Sequence, residues 1–130
     1  MEKNFSISKK ITKEDVQKFI EISGDDNPVH TDENFAKRTI FRKPIAHGLI
    51  SASLISCGLT KLMGEGNIWL TQDLKFEKPV YVGDEITAHL KIVNIDSNKV
   101  YKIETTLTNQ NGKVVISGFA ECKLFPVRKT

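Results

Sequence analysis

Gly48-Leu-Ile-Ser-Ala-Ser-Leu-Ile-Ser-Cys-Gly-Leu-Thr-Lys-Leu-Met63 is apolar or small on nearly every side, with Lys61 its only charge. A stretch of this kind predicts a helix inside the protein, because no polar face is left for water. Its Ser, Ala and Gly residues predict close approach by another element. Downstream, the hydrophobic period changes to two. Ile68, Leu70, Leu74 and Phe76 share one parity, as do Ile86, Ala88, Leu90 and Ile92. Tyr101, Ile103, Thr105 and Leu107 form a third set, and Val114, Ile116, Ala120 and Cys122 a fourth. Turn signals at Val82-Gly83-Asp84, Asp96-Ser97-Asn98 and Asn111-Gly112 separate them, which predicts four antiparallel strands.

Upstream of the helix, residues 4–11 alternate as a strand. Thr12-Lys-Glu-Asp15 has the form of a capping box, with Asp in the place of Glu. The helix it opens sets Val16, Phe19, Ile20 and Ile22 toward the interior and stops at Ser23-Gly24. From 23 to 46 the chain is predicted to be mostly loop, with a helical turn or two near 32–38. Loops of that length in small domains are usually functional. An apolar helix needs a curved sheet around it. The prediction is therefore an α+β hotdog fold, an antiparallel sheet wrapped around one long central helix, forming a single domain over residues 1–130.

Composition limits the function classes. Hydrophobic residues are 39% and charged residues 27% of the 130, which fits a globular chain. No apolar stretch reaches the roughly 18 residues of a membrane span, and residues 1–10 show no signal-peptide pattern. A net charge of +3 without a Lys/Arg stripe points away from nucleic acid. Cys57 and Cys122 lie in apolar patterns without metal spacing, and both are expected to be buried and reduced in a cytoplasmic protein.

Two short runs could support chemistry. Asp25-Asp-Asn-Pro-Val-His30 brings a carboxylate and an imidazole together across a turn stiffened by Pro28. Such a pair suits proton transfer near neutral pH. The same residues could simply cap and turn the chain. Asn27 could orient the pair or hold the turn, and Asp32 suits a helix N-cap. Pro44-Ile-Ala-His-Gly48 delivers the chain to the buried helix. Gly48 opens a helix N-terminus, whose free N–H groups and partial positive charge suit a developing oxyanion. His47 reads as packed support for the loop. Asp26 receives no role, His89 lies on the polar parity of its strand, and no metal-ligand spacing is present. If Gly48 meets a substrate carbonyl, Ala52, Ser56 and Leu59 follow along the same helix face and are candidates for an acyl pocket; they equally suit a packing seam.

The two runs, in this order and spacing, resemble the signature of the MaoC-type (R)-specific enoyl-CoA hydratases, and Pro79-Val-Tyr-Val-Gly-Asp84 is similar to a step typical of that family. The resemblance covers nearly the whole chain and implies the same hotdog fold. It also implies that Asp25 and His30 hold and activate one water and that the Gly48 N–H binds a thioester carbonyl. The implied reaction is hydration of trans-2-enoyl-CoA to (R)-3-hydroxyacyl-CoA, without cofactor or metal. Acyl-CoA, or an acyl carrier protein thioester, is the expected substrate, and a homodimer or larger homo-oligomer the expected assembly. A hotdog thioesterase and a non-catalytic acyl-thioester binding module are the alternatives.

Overall fold

The computed structural model describes residues 2–130; Met1, the first residue of the expected domain, lies outside the described residues. The first strand, β1 (Asn4–Lys10), leads into helix α1 (Lys13–Ser23). The expected capping box is present: the Thr12 hydroxyl accepts from the Asp15 N–H at 3.1 Å, and the Asp15 carboxylate accepts from the Thr12 N–H at 2.9 Å. Gly24 ends the helix with φ of 77°, a left-handed conformation that glycine adopts without strain. Val16 is the buried anchor of this helix, while Ile22, expected inside, is exposed.

A 3-10 turn (Pro28–His30) and a short helix, α2 (Glu33–Lys37), interrupt the long loop. Asp32 is the N-cap of α2, its carboxylate accepting from the Phe35 N–H at 3.0 Å. The central helix, α3, runs Gly48–Met63, as the sequence predicts. Five further strands follow: β2 (Asn67–Gln72), β3 (Lys75–Phe76), β4 (Glu85–Ile95), β5 (Tyr101–Thr108) and β6 (Val114–Leu124). Their antiparallel order is β1-β4-β5-β6-β2, with β3 also paired to β6.

Ile86, Ala88 and Leu90 of β4, Ile103 and Leu107 of β5, and Ile116, Ala120 and Cys122 of β6 are buried with Ile55, Leu59 and Leu62 of α3. The parity of these three strands therefore faces the helix as expected. Buried Thr105 accepts a hydrogen bond from the Gln72 side chain at 2.9 Å, so its hydroxyl is satisfied.

Three expectations are corrected. The run from Asn67 to Phe76 is two strands, not one. Asp73 bridges the break: its backbone N–H donates to the Phe119 carbonyl, and its carboxylate accepts from the Phe119 N–H. Ile68, Leu70 and Phe76 are exposed. Finally, α3 is not enclosed on all sides. Its Ile50, Ala52, Leu54, Ile55, Gly58, Leu59 and Leu62 are buried, whereas Leu49, Ser53, Ser56, Cys57 and Thr60 are exposed. Cys57 is therefore an exposed thiol, while Cys122 is buried as expected.

The step Pro79–Asp84 positions the loop before α3. The Ala46 N–H donates to the Val80 carbonyl at 2.7 Å, Ile45 bridges to Tyr81, and the Tyr81 hydroxyl donates to the Phe41 carbonyl at 3.0 Å. The start of α3 is thus fixed to the sheet. No helix among the described residues is long and apolar enough to cross a membrane.

Candidate active site

The two motif-bearing segments are tied together by three hydrogen bonds. The Ile45 N–H donates to the Val29 carbonyl at 3.2 Å. His30 Nδ1 lies 2.6 Å from the Ile45 carbonyl. His47 Nε2 lies 2.9 Å from the Asp25 carbonyl. A carbonyl only accepts, so both ring nitrogens donate. In the neutral rings this leaves His30 Nε2 and His47 Nδ1 without a proton.

His47 is the buried member, 3% exposed, and its ring packs against two others. It stacks on His30 with centroids 3.7 Å apart, and Phe19 packs at 4.6 Å. Its Nε2 is also 3.9 Å from a carboxylate oxygen of Asp25. The Asp25 side chain is 53% exposed. It accepts from the Asn27 N–H at 3.3 Å, and the Asp25 N–H donates to the Ser23 hydroxyl at 3.0 Å. The side chain of Asn27 accepts from the Val29 N–H at 3.2 Å, so of its two expected roles it takes the turn role. Asp26 is exposed. His89 is exposed too, its ring nitrogens meeting the Ser6 and Thr108 hydroxyls at 3.2 and 3.1 Å.

Asp25, His30, His47 and Gly48 line one pocket of about 230 Å³ with Phe19, Leu49 and Phe76. A second, more apolar pocket of about 330 Å³ shares His30, Gly48 and Phe76 and continues along Phe41, Val80 and Ile116. The ring of Phe76 lies against Gly48 where a Cβ would sit, so any larger residue there would collide with it. Gly48 is the first helical residue of α3, and N–H groups of a first turn have no acceptor within the helix.

Asp25, His30 and His47 offer a carboxylate oxygen and two imidazole nitrogens within 4.8 Å of one another. Each ring has one nitrogen already donating to a carbonyl. The expected acyl-pocket residues do not form one surface. Ala52 and Leu59 are buried against the sheet, Ser56 is exposed, and none lines the pockets at Gly48. The sequence reading also missed Phe19, the Ile45 carbonyl and Phe76. In the sequence Phe19 reads only as part of a helix face, and a backbone acceptor leaves no mark on residue type.

The family model described as "MaoC like domain" matches residues 1–114. An (R)-specific enoyl-CoA hydratase of Rhodospirillum rubrum is 40% identical over 116 residues, 88% of this chain and 81% of that protein. An (R)-specific enoyl-CoA hydratase of Aeromonas caviae is 40% identical over 121 residues, 91% of this chain and 90% of that one. The solved structure of an (R)-hydratase from A. caviae involved in PHA biosynthesis superimposes with a TM-score of 0.91 at 37% identity, covering 96% of this chain and 98% of that chain.

Proposed function

The chain belongs to the MaoC-like domain family, and from that premise we propose that it is an (R)-specific enoyl-CoA hydratase, a hydro-lyase that adds water to trans-2-enoyl-CoA. The observation that supports this best is the convergence of Asp25, His30 and Gly48 on one pocket. It sets a carboxylate, an imidazole and the first residue of a helix around one small space. Relatives that share about two-fifths of its sequence are named for this activity.

In this mechanism the Gly48 N–H and the α3 dipole polarise the thioester carbonyl, which makes C3 electrophilic. A water sits between the Asp25 carboxylate and His30 Nε2. His30 accepts a proton as the water oxygen bonds to C3, and the C2=C3 electron pair moves toward the carbonyl. C2 then takes a proton from the same dyad, which completes the addition. The Ile45 carbonyl holds the proton on His30 Nδ1 and keeps Nε2 free to act as base. His47 and Asn27 support the loop, and the reaction uses no cofactor and no metal. The fold is proposed to form one domain, to work in the cytoplasm as a homodimer, and to take CoA or acyl carrier protein thioesters.

The test is incubation of the protein with crotonyl-CoA, following enoyl absorbance and free thiol together. Loss of absorbance without thiol, giving a product oxidised only by an (R)-specific dehydrogenase, is expected. Thiol release would make it a thioesterase, and no change in either signal would make it a binding module.

A further inference from the structure

The Pro79-Val-Tyr-Val-Gly-Asp84 step ends on a carboxylate that the chemistry above does not use. Asp84 is half-buried, and among the described residues no cation lies within 4.0 Å of its side chain. Neutral donors hold its charge instead. One carboxylate oxygen accepts from the Tyr81 N–H at 2.9 Å, and the other accepts from the Gln110 side chain at 3.0 Å. Gln110 is fixed in turn, because its side-chain oxygen accepts from the Glu85 N–H at 3.1 Å. The backbone of Asp84 is tied down as well. Its N–H donates to the Tyr81 carbonyl at 3.0 Å, and its carbonyl accepts from the Ile11 N–H at 2.9 Å. The carboxylate therefore has a fixed position and a fixed orientation.

From there a line of hydrogen bonds runs to the active site. The Tyr81 N–H and the Val80 carbonyl belong to one planar peptide group, and so do the Ala46 N–H and the Ile45 carbonyl. The Val80 carbonyl accepts from the Ala46 N–H at 2.7 Å, and the Ile45 carbonyl accepts from His30 Nδ1 at 2.6 Å. Two peptide groups and three hydrogen bonds thus join the His30 ring to the Asp84 carboxylate, with every donor pointing the same way. In such a chain each bond polarises the next, and an anion at the accepting end strengthens them all. Ala46 and Val80 are buried and Ile45 and Tyr81 half-buried, so water screens the chain little.

We propose that Asp84 is a positioning residue for hydration, which acts through these two peptide groups to hold the proton on His30 Nδ1 and leave Nε2 as the base. A carboxylate in direct contact with a catalytic imidazole fixes its tautomer and favours the imidazolium that forms in the reaction. Here the backbone carries the same influence over a longer path, and Asp25 stays free to face the water. The catalytic consequence rests on the hydratase reading, but the His30 tautomer can be measured without turnover.

The experiment compares wild type with Asp84→Asn and with Asp84→Asn/Gln110→Glu. Asn keeps an oxygen for the Tyr81 N–H but removes the charge. In the double variant the introduced carboxylate can accept from the Asn amide and from the Glu85 N–H, which keeps the hydrogen bonds and sets the charge one amide further from His30. The chain has three histidines, so nitrogen-labelled histidine gives three imidazoles, assigned with His30→Ala and His89→Ala. Their nitrogen chemical shifts report the tautomer at alkaline pH, where the rings are neutral, and circular dichroism reports folding. Asp84→Asn is expected to lower kcat for crotonyl-CoA roughly tenfold, the scale of one charge-assisted hydrogen bond, with KM little changed. The His30 shifts should move away from the pure Nδ1–H form. The double variant should fall between the single variant and wild type, and it carries the test if the single variant does not fold. Wild-type kcat with wild-type His30 shifts in either folded variant would overturn the assignment. So would a lost kcat with unchanged His30 shifts, or a loss confined to KM, because a turn with only a structural role would act that way. Displaced His30 signals in the variants of a protein that hydrates no enoyl-CoA would sink the hydratase reading and leave the coupling standing.

Discussion

Asp25 and His30 are proposed to share one water, so neither can replace the other. Asp25→Asn and His30→Ala are each expected to lower hydration by at least about 100-fold, the ordinary scale for removing an acid–base group. The double variant should be little worse than the worse single one, because groups that act as a unit are not additive. Circular dichroism should show both folded, since Asp25 is exposed and His30 lies at the wall of a pocket. Near-wild-type turnover by either would remove the mechanism. His47 offers a finer test. Its Nε2–H holds the Asp25 carbonyl, and Gln can supply an N–H there while Leu cannot. His47→Leu is expected to lower kcat by roughly tenfold or more, equal to about 1.4 kcal/mol of lost orientation, with KM little changed. His47→Gln should recover part of it; equal losses in both would reduce His47 to space filling. The sequence made Asp25, His30 and Gly48 legible because their residue types are the chemistry. It left Ile45 and Phe19 unmarked, because one acts through its backbone and the other by packing.

Helix boundaries were legible wherever a capping side chain or a glycine marks the end. Thr12 and Asp15 mark the start of α1, Gly24 its stop, and Gly48 the start of α3. Burial pushes the Asp15 carboxyl up, but the Thr12 N–H, the Lys9 ammonium at 2.9 Å and the Thr12 hydroxyl outweigh this and hold it below the usual carboxylate range. A carboxyl whose folded pKa is depressed stabilises the fold above its unfolded pKa of about 3.9 and loses that contribution as pH falls through the folded value. Asp15→Ala should therefore cost about 1 kcal/mol at neutral pH, the size of a lost cap. Below about pH 3 the gap from wild type should narrow. Denaturant midpoints at both pH values check this, and an undiminished gap in acid would contradict it. Apolar pattern was a weaker guide to what covers a face. Ile68, Leu70 and Phe76 alternate like core residues yet are exposed, and α3 reads as enclosed yet has an open side. Periodicity shows that a face wants cover but not which element supplies it. Ser56 lies on that open side, so Ser56→Phe should leave the fold of the single chain intact. If the acyl chain follows α3, this variant should shift preference to shorter enoyl-CoA chains. An unchanged preference across short and medium chains would move the acyl group to the pocket lined by Phe41, Phe76 and Ile116.

At the scale of the whole molecule, the uncovered surfaces are continuous in kind. Strand β2 is an edge of the sheet, and Ile68, Trp69 and Leu70 along it are 48, 40 and 45% exposed. An edge with unpaired backbone groups and three neighbouring apolar side chains invites another strand. The open side of α3 presents Ser53, Ser56, Cys57 and Thr60, small enough to let a second helix approach. Two copies related by a two-fold axis would join β2 to β2 and cover both surfaces at once. Light scattering at micromolar concentration should therefore give twice the 14.6 kDa chain mass. Leu70→Lys places a charge on that edge, the device by which natural edge strands resist pairing, and should give a folded monomer. Cys57 reports the same event independently. Its thiol is exposed in one chain, whereas burial pushes the Cys122 thiol up and keeps it unreactive. Ellman's reagent should modify Cys57 slowly in the wild-type dimer and quickly in the Leu70→Lys monomer. A wild-type protein that scatters as a monomer and exposes Cys57 at full rate would show that these surfaces do not cover each other.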